Sequence, residues 1–275
     1  MICVFDIETV PDIEMIQKNF PNSQEISEIE ICEMAMEEQR EKSGSDFLPI
    51  YSHKIISIAS VITDEYGHFI KVGNFGKTNN PLSNDTEKSI IEDFLKFINK
   101  SQPKLVSFNG RGFDLPTIML RAMKYNLSAH GYYEQDNTAF NKTKWENYRQ
   151  RFSERFHTDL LDSLGHFGVI RNLKLDNVCS MLNIPGKYDM SGDQVYKIFY
   201  DKEMEISQRV AKIDEYCQSD VLNTYWLYLK YELLKGEMIL GDYFSILDEF
   251  RRKMPQGRGY TDVFVKAIEK ELENA

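Results

Sequence analysis

Ile2-Cys3-Val4-Phe5-Asp6-Ile7-Glu8-Thr9 opens the chain with four apolar residues and then sets two acids one residue apart. The run has the character of a buried β-strand. Side chains alternate faces along a strand, so Asp6 and Glu8 point one way and Ile7 the other. Two neighbouring carboxylates repel, and burying them is costly unless a positive partner joins them. Two readings are open on this stretch alone: hydrated acids at the rim of a strand, or half of a divalent-metal site. The choice depends on whether the rest of the chain supplies further ligands.

Outward from this strand, Val10-Pro11-Asp12 reads as a break. Residues 12–42 read as a helical, acidic insertion. Ile26, Ile29 and Met34 give it a weak apolar stripe, and Glu25, Glu28, Glu30, Glu33, Glu37, Glu38 and Glu41 form a solvated face. Residues 54–62 form a second strand, Asp64-Glu65-Tyr66-Gly67 a turn, and 68–75 the returning strand of a hairpin. A helix follows over about 84–99, capped by Asn84 or Asp85, with Ile90, Ile91, Phe94, Leu95 and Ile98 on its apolar face. Lys104-Leu105-Val106-Ser107-Phe108 is the next strand, and it ends at Asn109-Gly110-Arg111-Gly112 before a helix from about Leu115 to Tyr125. Residues 128–152 show no period and are expected to form a mobile surface segment. A strand near 157–162 is followed by helices at about 173–183, 191–200, 207–235, 241–253 and 260–273. This succession is an α/β pattern. The first strand and the 104–108 strand can lie parallel, with their C-terminal ends together, where sites in open α/β sheets gather.

The 275 residues carry 42% hydrophobic content, enough for a sizeable core, in one large domain with insertions or a helical appendage. A net charge of -10 argues against a protein that coats duplex nucleic acid through Lys and Arg, but not against one that grips a strand end locally. Cys3, Cys32, Cys179 and Cys217 form no CxxC pair and read as reduced thiols of a cytoplasmic protein. The N-terminus runs directly into the strand without the pattern of a signal peptide, and no apolar run reaches the ~18 residues of a membrane span.

Two further pieces bear on the acid pair. In Phe108-Asn109-Gly110-Arg111-Gly112-Phe113-Asp114-Leu115-Pro116 the glycines suit a tight turn with unusual backbone angles. Asp114 there is either a helix cap or a ligand. In Asp214-Glu215-Tyr216-Cys217-Gln218-Ser219-Asp220, Tyr216 and Asp220 are four apart and share a helix face.

Together, D-x-E, N-x-x-x-F-D and Y-x-x-x-D resemble the motifs of the DEDD superfamily of 3′–5′ exonucleases. Tyr216, four residues before the last acid, resembles the DEDDy branch, since the histidine branch would place His where Glu215 stands. The strings Phe5–Pro11, Phe108–Pro116 and Ile184–Gly192 are similar to bacterial stand-alone exonucleases related to the proofreading domain of family B DNA polymerases. The resemblance covers about residues 1–235, with the acidic insertion at about 12–50, and leaves 236–275 as a helical extension packed on the same domain.

The resemblance implies a ribonuclease-H-like α/β fold, with a mixed five-stranded sheet flanked by helices. It implies two Mg²⁺ or Mn²⁺ ions. Asp6 would bridge them, Glu8 and Asp220 would hold the nucleophile-side ion, Asp114 would serve the other, and Tyr216 would orient the attacking water. Asn109, Phe113, Thr9 and Lys187 would contact substrate. The implied activity is hydrolysis at DNA 3′ ends, single-stranded or frayed, with release of 5′-monophosphates. An exoribonuclease or a non-catalytic nucleic-acid-binding module on the same fold are the alternatives. No polymerase domain lies within these residues, so proofreading would require a separate polymerase partner, while a repair or clean-up role is equally open and leaves the partner unassigned.

The residue types suit this chemistry. Four carboxylates without His are a fitting set for hard cations. A phenol with a pKa near ~10 is a weak base, so Tyr216 fits a hydrogen-bonding role better than proton acceptance. Among lesser candidates, Asp159 and Asp162 lie on the strand before the late helices, and Asp162 reads as a cap or turn acid. Lys174 reads as an exposed lysine, and Lys187-Tyr188-Asp189 as a loop. Arg251, Arg252, Lys253 and Arg258 form a basic cluster that is either a solvated tail or a nucleic-acid contact.

Overall fold

The computed structural model describes residues 1–18, 26–76, 84–170, 172–188 and 192–273. Glu25 and Asp189, and the side chains of Asn84 and Asp85, lie outside what is described.

The elements run in the order β1 (Ile2–Pro11), α1 (Ile13–Gln17), α2 (Glu28–Ser43), β2 (His53–Thr63), β3 (Phe69–Asn74), α3 (Asn84–Ser101), β4 (Lys104–Ser107), α4 (Asp114–Lys124), α5 (His130–Tyr133), β5 (His157–Asp159), α6 (Leu160–Leu164), α7 (Leu175–Met181), α8 (Val195–Tyr200), α9 (Ile206–Lys235), α10 (Leu240–Lys253) and α11 (Thr261–Leu272). The five strands form one sheet in the order β3-β2-β1-β4-β5. β1, β2 and β3 pair antiparallel, while β1, β4 and β5 run parallel. This is the mixed ribonuclease-H-like sheet that the sequence motifs imply.

Strand alternation builds two cores. Ile2 and Val4 face α9 and pack with Val221, Tyr225 and Trp226. Cys3, Phe5 and Ile7 face the other way, onto α3 and α4. Asp6 and Glu8 continue the Ile2–Val4 row, so the same alternation that buries the strand aims both acids toward α9.

β1 does not break at Pro11, which stays in register with His53. β4 pairs only with Ile2 to Val4, so the other edge of β1 is open where proline lacks its N–H. Asp12 instead caps α1, accepting from Met15 N–H. It also joins a buried ion network, in which Arg121 meets Asp12 at 2.5 Å and Glu87 at 2.5 Å. The Tyr125 hydroxyl donates to Glu87 at 2.6 Å.

Two further expectations change. Residues 128–152 are pinned: the buried Lys142 Nζ donates to the Gly131 carbonyl at 2.5 Å and lies 4.5 Å from the Tyr148 ring. Tyr148 is fully buried, and its hydroxyl donates to the Pro103 carbonyl at 2.6 Å. The last strand stops at Asp159, because that side chain caps α6 by accepting from Leu161 N–H.

Candidate active site

β1 delivers Asp6 and Glu8 at its C-terminal half. Glu8 pairs with Ser57, and the register slips between Glu8 and Thr9. A bulge of this kind re-aims side chains and is common beside functional sites.

The turn after β4 delivers Asp114. Its one left-handed residue is Asn109, at φ 70, rather than a glycine. Gly110 is needed for space, since a Cβ there would run into Ser107 Oγ and lie 2.6 Å from Ser107 Cβ, while at Gly112 a Cβ would displace the Asn109 side-chain amide. Asp159 organises the turn, accepting from the backbone N–H of Asn109 and of Arg111, both at 2.8 Å. Asp114 then begins α4 as its first helical residue, with Phe113 in the cap position. Its carboxyl is not the cap; it turns toward its own N–H, the Ile7 N–H and the Asp6 carboxyl.

α9 delivers Tyr216 and Asp220 one turn apart, and the Tyr216 hydroxyl donates to the Asp220 carboxylate. Thr224 Oγ1 donates to the Asp220 carbonyl at 3.0 Å.

These groups share one buried field. Burial raises Asp6 well above the ordinary carboxyl range, and the charges of Asp114, Glu8 and Asp220 push it further. Glu8 is raised by burial and by Asp220 and Asp114, with Lys187 opposing. Asp114 is pushed up to about 7 by burial and the neighbouring Asp159 charge, against hydrogen bonds that favour its ionised form. Asp220 is also pushed up to about 7, chiefly by burial. Tyr216 is raised by burial and then by the surrounding acids, so its phenol stays protonated.

A concentration of like charge in a desolvated place suits a divalent cation. Ligand atoms of Asp6, Glu8 and Cys217 lie within 4.8 Å of one another. Cys217 differs in kind: burial and the Asp6 and Glu8 charges hold its thiol protonated, and its sulfur donates to the Asp6 carbonyl at 3.6 Å. The donor set is therefore carboxylate oxygen, which fits a hard divalent ion.

The expected substrate residues separate. Thr9, Phe113 and Lys187 line one cavity of about 640 Å³ together with Glu8. Asn109 lines another, of about 480 Å³, with Arg111, Gly112, Arg151 and Asp159. Lys187 pairs with Asp176 at 3.1 Å. Asp162 pairs with Arg151 at 2.6 Å. Three of the four residues of the basic cluster pair within α10: Arg251 and Arg252 with Asp248, and Lys253 with Glu249. Lys253 also donates to the Phe69 carbonyl, near the end of the sheet opposite Glu8.

The sequence did not reveal Phe47 and His53. His53 Nε2 donates to the Leu48 carbonyl at 3.1 Å, and Nδ1 then accepts from the Thr9 hydroxyl at 2.9 Å. Burial lowers the His53 pKa, in keeping with that neutral tautomer. Both residues belong to the cavity beside Glu8. No local pattern announces such long-range neighbours.

Fold and side chains together define a ribonuclease-H-like α/β protein with a carboxylate cluster able to hold divalent cations. The chain belongs to the family described as predicted 3′–5′ exonucleases related to the exonuclease domain of PolB, whose model matches residues 45–268. That stretch contains Asp114, Tyr216 and Asp220 and begins after Asp6 and Glu8. No curated protein matches the chain. Among solved structures it is similar to the family B DNA polymerase from the hyperthermophilic archaeon Pyrobaculum calidifontis, at TM-score 0.48 and 14% identity, over 97% of this chain and 26% of that one. The chain thus spans about a quarter of that polymerase's length. Among the described residues no helix is long and apolar enough to cross a membrane.

Proposed function

We propose that the protein is a metal-dependent 3′–5′ exonuclease, acting on DNA ends and releasing nucleoside 5′-monophosphates. The exonuclease domain would comprise residues 1–235, with its insertion at about 12–50, and 236–275 would be a helical extension. The observation that carries the reading is the convergence of Asp6 and Glu8 of β1, Asp114 at the start of α4 and Asp220 of α9 on one place, where burial and the charges of Asp114 and Asp220 hold Asp6 and Glu8 up. So many desolvated carboxyls have little structural use without a cation.

In this proposal Asp6, Glu8, Asp114 and Asp220 would hold two Mg²⁺ or Mn²⁺ ions, with Asp6 shared between them, Glu8 and Asp220 serving the nucleophile side and Asp114 the other. When bound, such a pair supplies activation of water and stabilisation of the leaving oxygen. The protein's own part is positioning. Tyr216 keeps its proton and fixes the Asp220 carboxylate, leaving the phenol oxygen's lone pairs to orient the attacking water. Lys187 places positive charge near Glu8 and Asp220. The relation to PolB favours DNA over RNA as substrate.

The test uses end-labelled single-stranded DNA and RNA of one sequence, with Mg²⁺ or Mn²⁺, and Asp6→Ala as control. Stepwise shortening from the DNA 3′ end that needs both metal and Asp6 is the expected result. Internal cuts, or full activity in the variant, would overturn the reading; faster loss of RNA would reassign the substrate.

A further inference from the structure

The cavity of about 640 Å³ beside Glu8 has a wall that the acid motifs do not account for: α2 and the turn that follows it. Phe47 stands in that turn with 57% of its surface exposed, while its neighbour Leu48 is 5% exposed and packs with Ile16, Ile31 and Ala35. The turn is built to present the ring. Gly44 closes α2 in the left-handed conformation at φ 78. Ser45 Oγ accepts from Phe47 N–H at 3.2 Å, and Asp46 is held by Arg40 at 2.8 Å. The ring centroid lies 5.1 Å from that of His53 and 5.3 Å, edge-on, from that of Phe113. His53 is in turn tied to Thr9, the residue after Glu8. An aromatic face is therefore held open to the cavity and braced to the strand end that carries the acids.

Charge sets which part of a nucleotide could lie there. Glu33, Glu37 and Asp46 line the same wall, where Arg40 pairs with Glu37 and Asp46 and Lys197 with Glu33, so the two cations are already engaged and the wall keeps an excess of acid that does not attract a phosphate. Lys187 lines the cavity together with Glu8, so a phosphate belongs there, by the acids that would hold metal. The backbone thus runs on the Lys187 side and the base turns toward α2. We infer that Phe47 is the stacking platform for the 3′-terminal base, supplied by the insertion. This rests on the exonuclease reading above. Stacking on a π-face tolerates every base, so Phe47 confers grip on an end without sequence preference.

The experiment compares wild type, Phe47→Ala and Phe47→Trp in the full chain. Steady-state kinetics use a single-stranded DNA oligonucleotide with Mn²⁺, and its binding in EDTA is followed by fluorescence anisotropy. Phe47→Ala should raise KM and Kd by about 5- to 100-fold, with kcat within about twofold. Phe47→Trp should restore both constants. On an oligonucleotide whose 3′-terminal nucleotide lacks its base, wild type and Phe47→Ala should be equal, which a merely structural role would not produce. Unchanged KM and Kd in Phe47→Ala, or an equal loss on the abasic end, overturns the inference. A wild type that neither binds nor shortens the oligonucleotide refutes the exonuclease reading instead, and the inference with it.

Discussion

Asp159 acts on the candidate site through the backbone. It is 3% exposed and accepts three backbone N–H groups, from Asn109, Arg111 and Leu161. Those bonds fix the turn that starts α4, and so the place of Asp114. Hydrogen bonds to charged groups contribute about 1.5–3 kcal/mol each, and orphaned buried donors add their own cost. Asp159→Ala should therefore destabilise the protein by about 3 kcal/mol, measured by chemical denaturation, and weaken Mn²⁺ binding measured by calorimetry. Wild-type Mn²⁺ affinity in a folded Asp159→Ala would separate the turn from the acids. Tyr216 poses the opposite case, a residue placed against the candidate metal-holding acids themselves. Its hydroxyl is one donor to Asp220, and α9 still holds that residue's backbone through Thr224. Tyr216→Phe should keep Mn²⁺ affinity within a few fold and lower single-turnover rates by about 10²-fold, the scale for losing one positioned donor. Unchanged turnover would remove the phenol from the mechanism.

At the scale of elements, α9 has two tasks: it carries Tyr216 and Asp220, and it forms the spine against which α10 and α11 pack. Ile246, Leu247, Phe250, Phe264 and Ile268 of these last helices are buried with Tyr225 and Trp226 of α9. A polar chain runs alongside. The Tyr260 hydroxyl donates to Gln218 at 2.6 Å, Gln218 to Asn74 at 2.5 Å, and Asn74 to Ser57 at 2.7 Å. Ser57 is the strand partner of Glu8. Burying each such apolar side chain contributes about 1.5–3 kcal/mol, so five of them rival the total stability of about 5–15 kcal/mol typical of a domain. A chain truncated after Ile239 should lack a cooperative thermal transition by circular dichroism; a native-like transition would show the extension to be dispensable. Periodicity made most of these elements readable, because a strand or a long helix announces its buried face locally. The acids were readable for the same reason, since D-x-E and Tyr-x-x-x-Asp place their side chains within one element. What escaped depends on distant partners. The order of 128–152 comes from Lys142 and Tyr148 meeting across a loop, Asp159 takes its importance from N–H groups some fifty residues earlier, and Phe47 meets Phe113 only in the folded chain.

The whole molecule carries a net charge of -10, and its least favourable charges are the ones gathered where β1, α4 and α9 meet. In an unfolded chain these carboxyls titrate near ~4. In the folded protein Asp114 and Asp220 are pushed up to about 7, and Asp6 and Glu8 are raised as well. Between about pH 4 and pH 7 the folded state therefore keeps protons that the unfolded state has released. Raised acid pKa values of this kind lower stability as pH rises through that window, and the loss is complete above the folded-state values. A divalent cation that binds only the folded state reverses the balance: it displaces those protons and adds about 2.7 kcal/mol at a hundred times its Kd. In EDTA, the thermal midpoint of wild type relative to Asp6→Asn should fall from pH 5.5 to pH 8. With saturating Mn²⁺ the wild type should gain most at pH 8, and Asp6→Asn should gain little at any pH. Differential scanning fluorimetry across that range measures all four curves. A wild-type midpoint that tracks the variant in EDTA, or an equal Mn²⁺ gain in both, would show that the four carboxyls do not form one cation-binding field.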